Sequence, residues 1–74
     1  MKNNLLQDIY DSELNFKIET FWDAGFFVFL GDPTNWGDGK NFQTMAEVEQ
    51  YLIMAIKKYY PQSNFAKKYS KEKE

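Results

Sequence analysis

The chain has 74 residues, a formal net charge of −2, nine basic residues that are all lysines, and neither cysteine nor histidine. This length accommodates one small domain, and the missing residue types exclude disulfides, thiolate metal sites and histidine-based catalysis. The acidic body, residues 1–66, argues against nucleic-acid binding as the main role. We find no membrane-spanning stretch and no signal-peptide pattern, so the sequence predicts a cytoplasmic protein.

The first predicted elements are a short N-terminal helix and a β-hairpin. Apolar residues recur at helical spacing from Leu5 to Tyr10, which predicts an amphipathic helix over about residues 4–12. Residues 15–22 and 25–31 are dense in aromatic and β-branched side chains, which favour strands. Between them the sequence Asp23-Ala24-Gly25 predicts a three-residue turn with the glycine in a left-handed conformation.

This turn predicts a register in which Trp22 lies opposite Phe26 and Ile18 lies opposite Leu30. Because side chains alternate between the two faces of a strand, the hairpin has one face that is apolar nearly throughout. That face holds Phe16, Ile18, Thr20, Trp22, Phe26, Val28 and Leu30. The other face holds Lys17, Glu19, Phe21, Phe27 and Phe29, so it is polar at one end and aromatic at the other. A helix, a third strand or another molecule must cover its three phenylalanines.

The rest of the chain predicts a third strand and a long helix. Residues 40–43 favour a short antiparallel strand after a loop rich in turn formers, because two strands alone are marginally stable. Thr44 and Glu47 form a capping-box pattern at the start of a helix over about residues 45–60, which Pro61 ends. Ser63 can cap one further turn over residues 64–69. The prediction is therefore a single α+β domain over residues 1–69, an antiparallel hairpin or three-stranded meander packed by helices, with a disordered charged tail at 70–74.

The loop after the hairpin contains acids and glycines, but none of its patterns predicts a metal or phosphate site. The stretch from Asp32 to Gly39 lacks the alternating oxygen ligands and the final glutamate of a calcium loop. The stretch from Gly37 to Lys40 lacks the spacing of a phosphate loop. The acids available for acid–base chemistry are Glu19, Asp23, Asp32 and Asp38. A chain this short has little surface with which to build a catalytic cleft around them, so the sequence predicts neither an enzyme nor a cofactor.

Aromatic side chains that the core does not require are the stronger functional signal. Trp36, in the glycine-rich loop, is either a lid over the edge of the core or an exposed anchor of the kind that dominates protein interfaces. Tyr51 and Met54, on the flank of the long helix, allow the same two interpretations. The predicted interface residues are Phe21, Phe27, Phe29, Trp36, Tyr51 and Met54.

Three strings in the chain carry a resemblance to other proteins. They are Glu13-x-Asn15, then Trp22-Asp23-x-Gly25-Phe26-x-Val28-x-Leu30-Gly31-Asp32, and Tyr60-Pro61-x-Ser63-x-Phe65-Ala66. Together the strings resemble a pattern of small bacterial or phage α+β proteins, and the resemblance implies no activity. The sequence thus predicts a protein-interaction module whose partner is another protein, with a second copy of the chain as one candidate. The alternative is a small phage regulatory or nucleic-acid-associated protein that binds single strands weakly through sheet aromatics and lysines.

Overall fold

Three helices and one three-stranded sheet form the fold, in a computed structural model that describes residues 4–72 of the chain and the side chains of residues 4–70. The elements in chain order are α1 (Leu5–Asp11), β1 (Phe16–Phe21), β2 (Gly25–Leu30), β3 (Lys40–Phe42), α2 (Met45–Tyr59) and α3 (Asn64–Glu72). The sheet has the order β1-β2-β3 and both pairings are antiparallel. The predicted α+β class, the third strand, the N-terminal helix and the long helix are confirmed.

Local sequence signals account for where the helices begin and end. The Thr44 hydroxyl accepts a hydrogen bond from the Glu47 backbone N–H at 3.2 Å, and the Glu47 carboxylate accepts one from the Thr44 N–H, which completes the capping box of α2. Pro61 follows directly after the C-cap residue Tyr60. The Ser63 hydroxyl accepts from the Ala66 N–H at 3.1 Å and so caps α3. Because α3 runs to Glu72, residues 70–72 of the predicted tail continue that helix, and residues 73–74 lie outside the described residues.

The core lies between the helices and one face of the sheet. Val28 is the buried residue that the sheet contributes, and the helices contribute the rest: Leu5, Ile9, Val48, Leu52, Ile56, Phe65, Ala66 and Tyr69. The partly buried strand residues that pack against this cluster are Phe16, Ile18, Phe26, Leu30 and Phe42. The face predicted to meet a core therefore does so.

The hairpin register differs from the predicted one by two residues. Ile18 lies opposite Val28 rather than Leu30, and Thr20 lies opposite Phe26. The turn is Trp22-Asp23-Ala24, closed by a hydrogen bond from the Ala24 N–H to the Phe21 carbonyl at 2.9 Å. Gly25 has the expected positive φ, +98°, but it is the first residue of β2.

Two consequences follow from the shifted register. A shift of two residues preserves which side chains share a face, because the alternation of a strand has a period of two. Trp22, however, leaves the sheet, and its predicted place on the core-facing side is wrong: the side chain is 98% exposed at the tip of the hairpin.

The first helix packs on the same side of the sheet as the other two. Leu5 and Ile9 belong to the core cluster, and the Asp8 carboxylate accepts hydrogen bonds from Lys68 at 2.9 Å and Tyr69 at 2.8 Å in α3. These contacts hold α1 against the C-terminal helix and leave the opposite face of the sheet to other groups. Within residues 4–72, no helix is both long and apolar enough to cross a bilayer.

Candidate functional site

The sheet face opposite the helices, here called the aromatic face, carries the phenylalanines that the core does not use. It is formed by the odd-numbered strand residues Lys17, Glu19, Phe21, Phe27, Phe29 and Asn41, and by Trp36 from the loop before β3. None of the three phenylalanines packs against the core cluster of the described residues. A small sheet needs burial on one face only, so this face is left to whatever else can cover it.

One end of the aromatic face is partly covered by the loop between β2 and β3. The Phe29 and Trp36 rings lie 6.1 Å apart between centroids, and the Lys17 ammonium lies 4.5 Å above the Phe29 ring. Gly39 passes so close to the Phe29 ring that an added Cβ would lie 2.7 Å from two ring carbons. Trp36 is therefore a lid, as one interpretation of the sequence proposed, but a lid over Phe29 rather than over the core.

The other end of the aromatic face is open. Phe21 and Phe27 make an edge-to-face pair with centroids 5.9 Å apart, and Phe21 is still 48% exposed. Trp22 projects from the adjoining turn. A molecule that covers these two rings would remove a large apolar area from water.

The charges on the aromatic face cancel locally. The Lys17 ammonium lies 3.5 Å from the Glu19 carboxylate, and both side chains are about 40% exposed. Because Asn41 is neutral, the face carries one positive and one negative charge. Such a surface attracts neither a polyanion nor a polycation strongly.

Tyr51 and Met54, the other two predicted interface residues, lie on a different surface. With Phe42 and Ala46 they line a shallow apolar groove of about 430 Å³ between β3 and α2. The Tyr51 ring lies 5.3 Å from the Phe42 ring, and Met54 is 61% exposed. Burial, and secondarily the charge of Tyr59, raises the pKa of Tyr51, so its phenol is neutral at physiological pH. The structure thus brings Phe21, Phe27, Phe29 and Trp36 together and leaves Tyr51 and Met54 apart from them.

The loop that follows β2 is stabilised by a hydrogen-bonded turn at Asp32. The Asp32 carboxylate accepts hydrogen bonds from the backbone N–H and the hydroxyl of Thr34, at 2.9 and 2.8 Å, and the backbone bond is the main cause that lowers the pKa of Asp32. This is the turn-forming role that the loop sequence favoured. Within the described part of the chain, no three acidic side chains lie close enough together to hold a metal ion.

Trp22 is the residue of this region that sequence reasoning missed. Its neighbours Asp23, Ala24 and Gly25 also allow a turn that begins one residue earlier, with the glycine inside the strand rather than at the end of the loop. That alternative places a tryptophan at the tip of the hairpin, where exposure is the rule.

Comparisons of the chain with protein-family models, with curated proteins and with solved structures give no match. The function of the aromatic face must therefore be inferred from its own geometry and chemistry.

Proposed function

We propose that this protein is a non-enzymatic interaction module that binds another protein through its aromatic face. The proposal rests on the observation that the three helices of the described residues all pack against one side of the sheet. On the other side Phe21 is 48% exposed and lies against Phe27. Contiguous exposed apolar patches on a protein surface mark sites of interaction with other molecules.

The chemistry of the face fits a protein surface better than it fits a nucleic acid. Aromatic residues in a patch of balanced charge are typical of the centres of protein interfaces. Binding of single strands needs several lysines along the surface that contacts the phosphates, whereas Lys17 is the one lysine among the strand residues of the aromatic face and the Glu19 carboxylate lies 3.5 Å from it. Lys40, the other lysine of the sheet, lies opposite Val28 in the register, on the helix-facing side.

A photocrosslinking experiment tests the proposal directly in cells, where the partner is present at its natural concentration. Benzoylphenylalanine replaces Phe27 in the full chain, and the protein is irradiated in cells that express it. We expect a crosslinked product of defined mass, because a partner seated on the face lies within bond-forming distance of this ring. The mass of the product distinguishes a second copy of the chain from a different protein.

The matched control places the same photoreactive residue at Tyr10, an aromatic position that is 71% exposed on α1. A Phe21→Asp substitution in the chain that carries the probe at position 27 should abolish the product, because a carboxylate beside the ring prevents an apolar partner from docking. Equal products from positions 27 and 10, or a product that survives Phe21→Asp, would contradict the proposal.

A further inference from the structure

The outer edge of β1 is the longer free edge of the sheet. In the hairpin register Asn15 continues opposite Gly31, and the Gly31 N–H donates to the Asn15 carbonyl at 3.0 Å. The backbone N–H and C=O groups of the odd-numbered residues of β1 therefore point toward β2. Because these groups alternate in direction along an antiparallel strand, those of the even-numbered residues point away from the sheet, toward solvent. The outward groups belong to Phe16, Ile18 and Thr20, and no hydrogen bond within residues 4–72 reaches them across that edge.

We propose that a second copy of this chain pairs with β1 edge to edge, antiparallel and centred on Ile18. Ile18 then lies opposite Ile18 of the second copy, and Phe16 lies opposite Thr20. All three outward-facing residues of each chain exchange hydrogen bonds in this register, and the two sheets join into one of six strands. The two-fold axis stands perpendicular to the sheet, so the interface is isologous.

The charges of β1 select this register over its neighbours. When Ile18 opposes Ile18, Lys17 of each copy lies opposite Glu19 of the other, and opposite charges at facing positions stabilise a strand pair. In the two nearest registers that still let the outward backbone groups form hydrogen bonds, Lys17 lies opposite Lys17 of the second copy, or Glu19 lies opposite its Glu19. Like charges directly opposite each other are destabilising. One strand thus carries a charge pattern that is complementary to itself in one alignment.

The surroundings of the two edges favour β1 over β3. The long helix α2 makes its main sheet contacts with β2 and β3, on the side of the sheet away from the β1 edge. β3 has three residues, and by the same alternation only Asn41 directs its backbone outward. The Asn41 side-chain amide is already bonded to the Ala24 and Phe26 carbonyls, at 3.2 Å each.

This dimer goes beyond the proposed function, because it leaves the aromatic face free. A perpendicular two-fold axis keeps both helical layers on one side of the six-stranded sheet. The two sets of Phe21, Phe27 and Phe29 then lie side by side on the other side, separated by the Lys17 and Glu19 charges of both copies. One partner could contact two aromatic patches at once, which strengthens binding through multivalency.

Charge-reversal variants of the full chain test the proposed pairing, with the dimer dissociation constant measured by sedimentation velocity. Lys17→Glu alone and Glu19→Lys alone each set like charges opposite each other twice, so we expect the dimer dissociation constant to rise about tenfold or more. An equimolar mixture of the two variants should regain the wild-type dissociation constant, because every facing pair is again opposite in charge. The double variant Lys17→Glu/Glu19→Lys should also regain it.

Two controls locate the interface. Lys40→Glu makes the same charge change on β3 and should leave the dissociation constant unchanged, and so should Phe27→Ser, which removes the ring from the aromatic face without placing a charge opposite Glu19. Circular dichroism confirms that each variant is folded. A wild-type monomer up to about millimolar concentration, or single reversals that do not weaken the dimer, would overturn the edge pairing. If Phe27→Ser alone dissociates it, the copies associate through the aromatic face; the edge pairing is then wrong while the proposed function is retained.

Discussion

Asp8 is the residue that ties the first helix to the last. Its carboxylate accepts hydrogen bonds from the Lys68 ammonium and the Tyr69 hydroxyl, and its side chain is only 21% exposed. The hydrogen bond from Lys68, followed by that from Tyr69, lowers the pKa of Asp8 against the opposing effect of desolvation. Both donors favour the charged carboxylate, so the ionised side chain adds to the burial of Leu5 and Ile9 in holding α1.

We predict that Asp8→Asn lowers the free energy of unfolding by about 1 kcal/mol at pH 7, a modest value because Lys68 is largely exposed and water screens the pair. A carboxyl group whose pKa is lowered by folding contributes stability above its unfolded pKa, about 3.9. That contribution is lost as the pH falls through the lower folded value. Urea unfolding between neutral pH and about pH 2 should therefore show the difference between the two proteins shrink toward the acid end.

Asp38→Asn is the control for this measurement, because it makes the same chemical change on an exposed loop residue. It should leave the free energy of unfolding at pH 7 nearly unchanged, because no contact of α1 is altered. A difference between Asp8→Asn and the wild type that persists undiminished at pH 2 would show that the carboxylate charge is not what holds α1.

At the scale of the elements, much of the fold could be predicted from local signals. The capping box and Pro61 placed α2 within one residue at each end, because both act on the backbone at the helix terminus itself. The hairpin register could not be placed in this way. Gly25 can equally end a loop or begin a strand, and we attribute the difference to β3, because its Phe42 carbonyl lies against the glycine. On this hypothesis a contact 17 positions away determines where the turn begins.

We therefore predict that Gly25→Ala destabilises the protein far more than Gly37→Ala. Both glycines have positive φ, so each alanine incurs a backbone cost of about 1 kcal/mol. At Gly37 nothing lies within 4 Å of the added Cβ, whereas at Gly25 the Cβ would overlap the Phe42 carbonyl oxygen. We expect a total loss of at least about 2 kcal/mol for Gly25→Ala in denaturant unfolding. Equal losses at the two sites would mean that contact with β3 does not set the register.

At the scale of the whole molecule, the composition of the aromatic face was predictable but its exposure was not. Alternation assigns Phe21, Phe27 and Phe29 to one face in either register, because the two registers differ by an even number of residues. The first helix packs on the other face instead, through Leu5 and Ile9 in the core and through the contact of Asp8 with Lys68, 60 positions later in the chain. No local pattern encodes a contact of that range, so the sequence left open whether the chain covers its own aromatic face.

The chain leaves the Phe21 and Phe27 end of its aromatic face open. The most direct measurement replaces the seven phenylalanines with 4-fluorophenylalanine, assigns each fluorine NMR signal by substitution, and adds a soluble nitroxide that broadens the signals of accessible rings. In dilute protein we predict strong broadening for Phe21, weaker broadening for the half-buried Phe27, and none for Phe65, which is 1% exposed. Phe21 and Phe27 signals as sharp as that of Phe65 would contradict the claim.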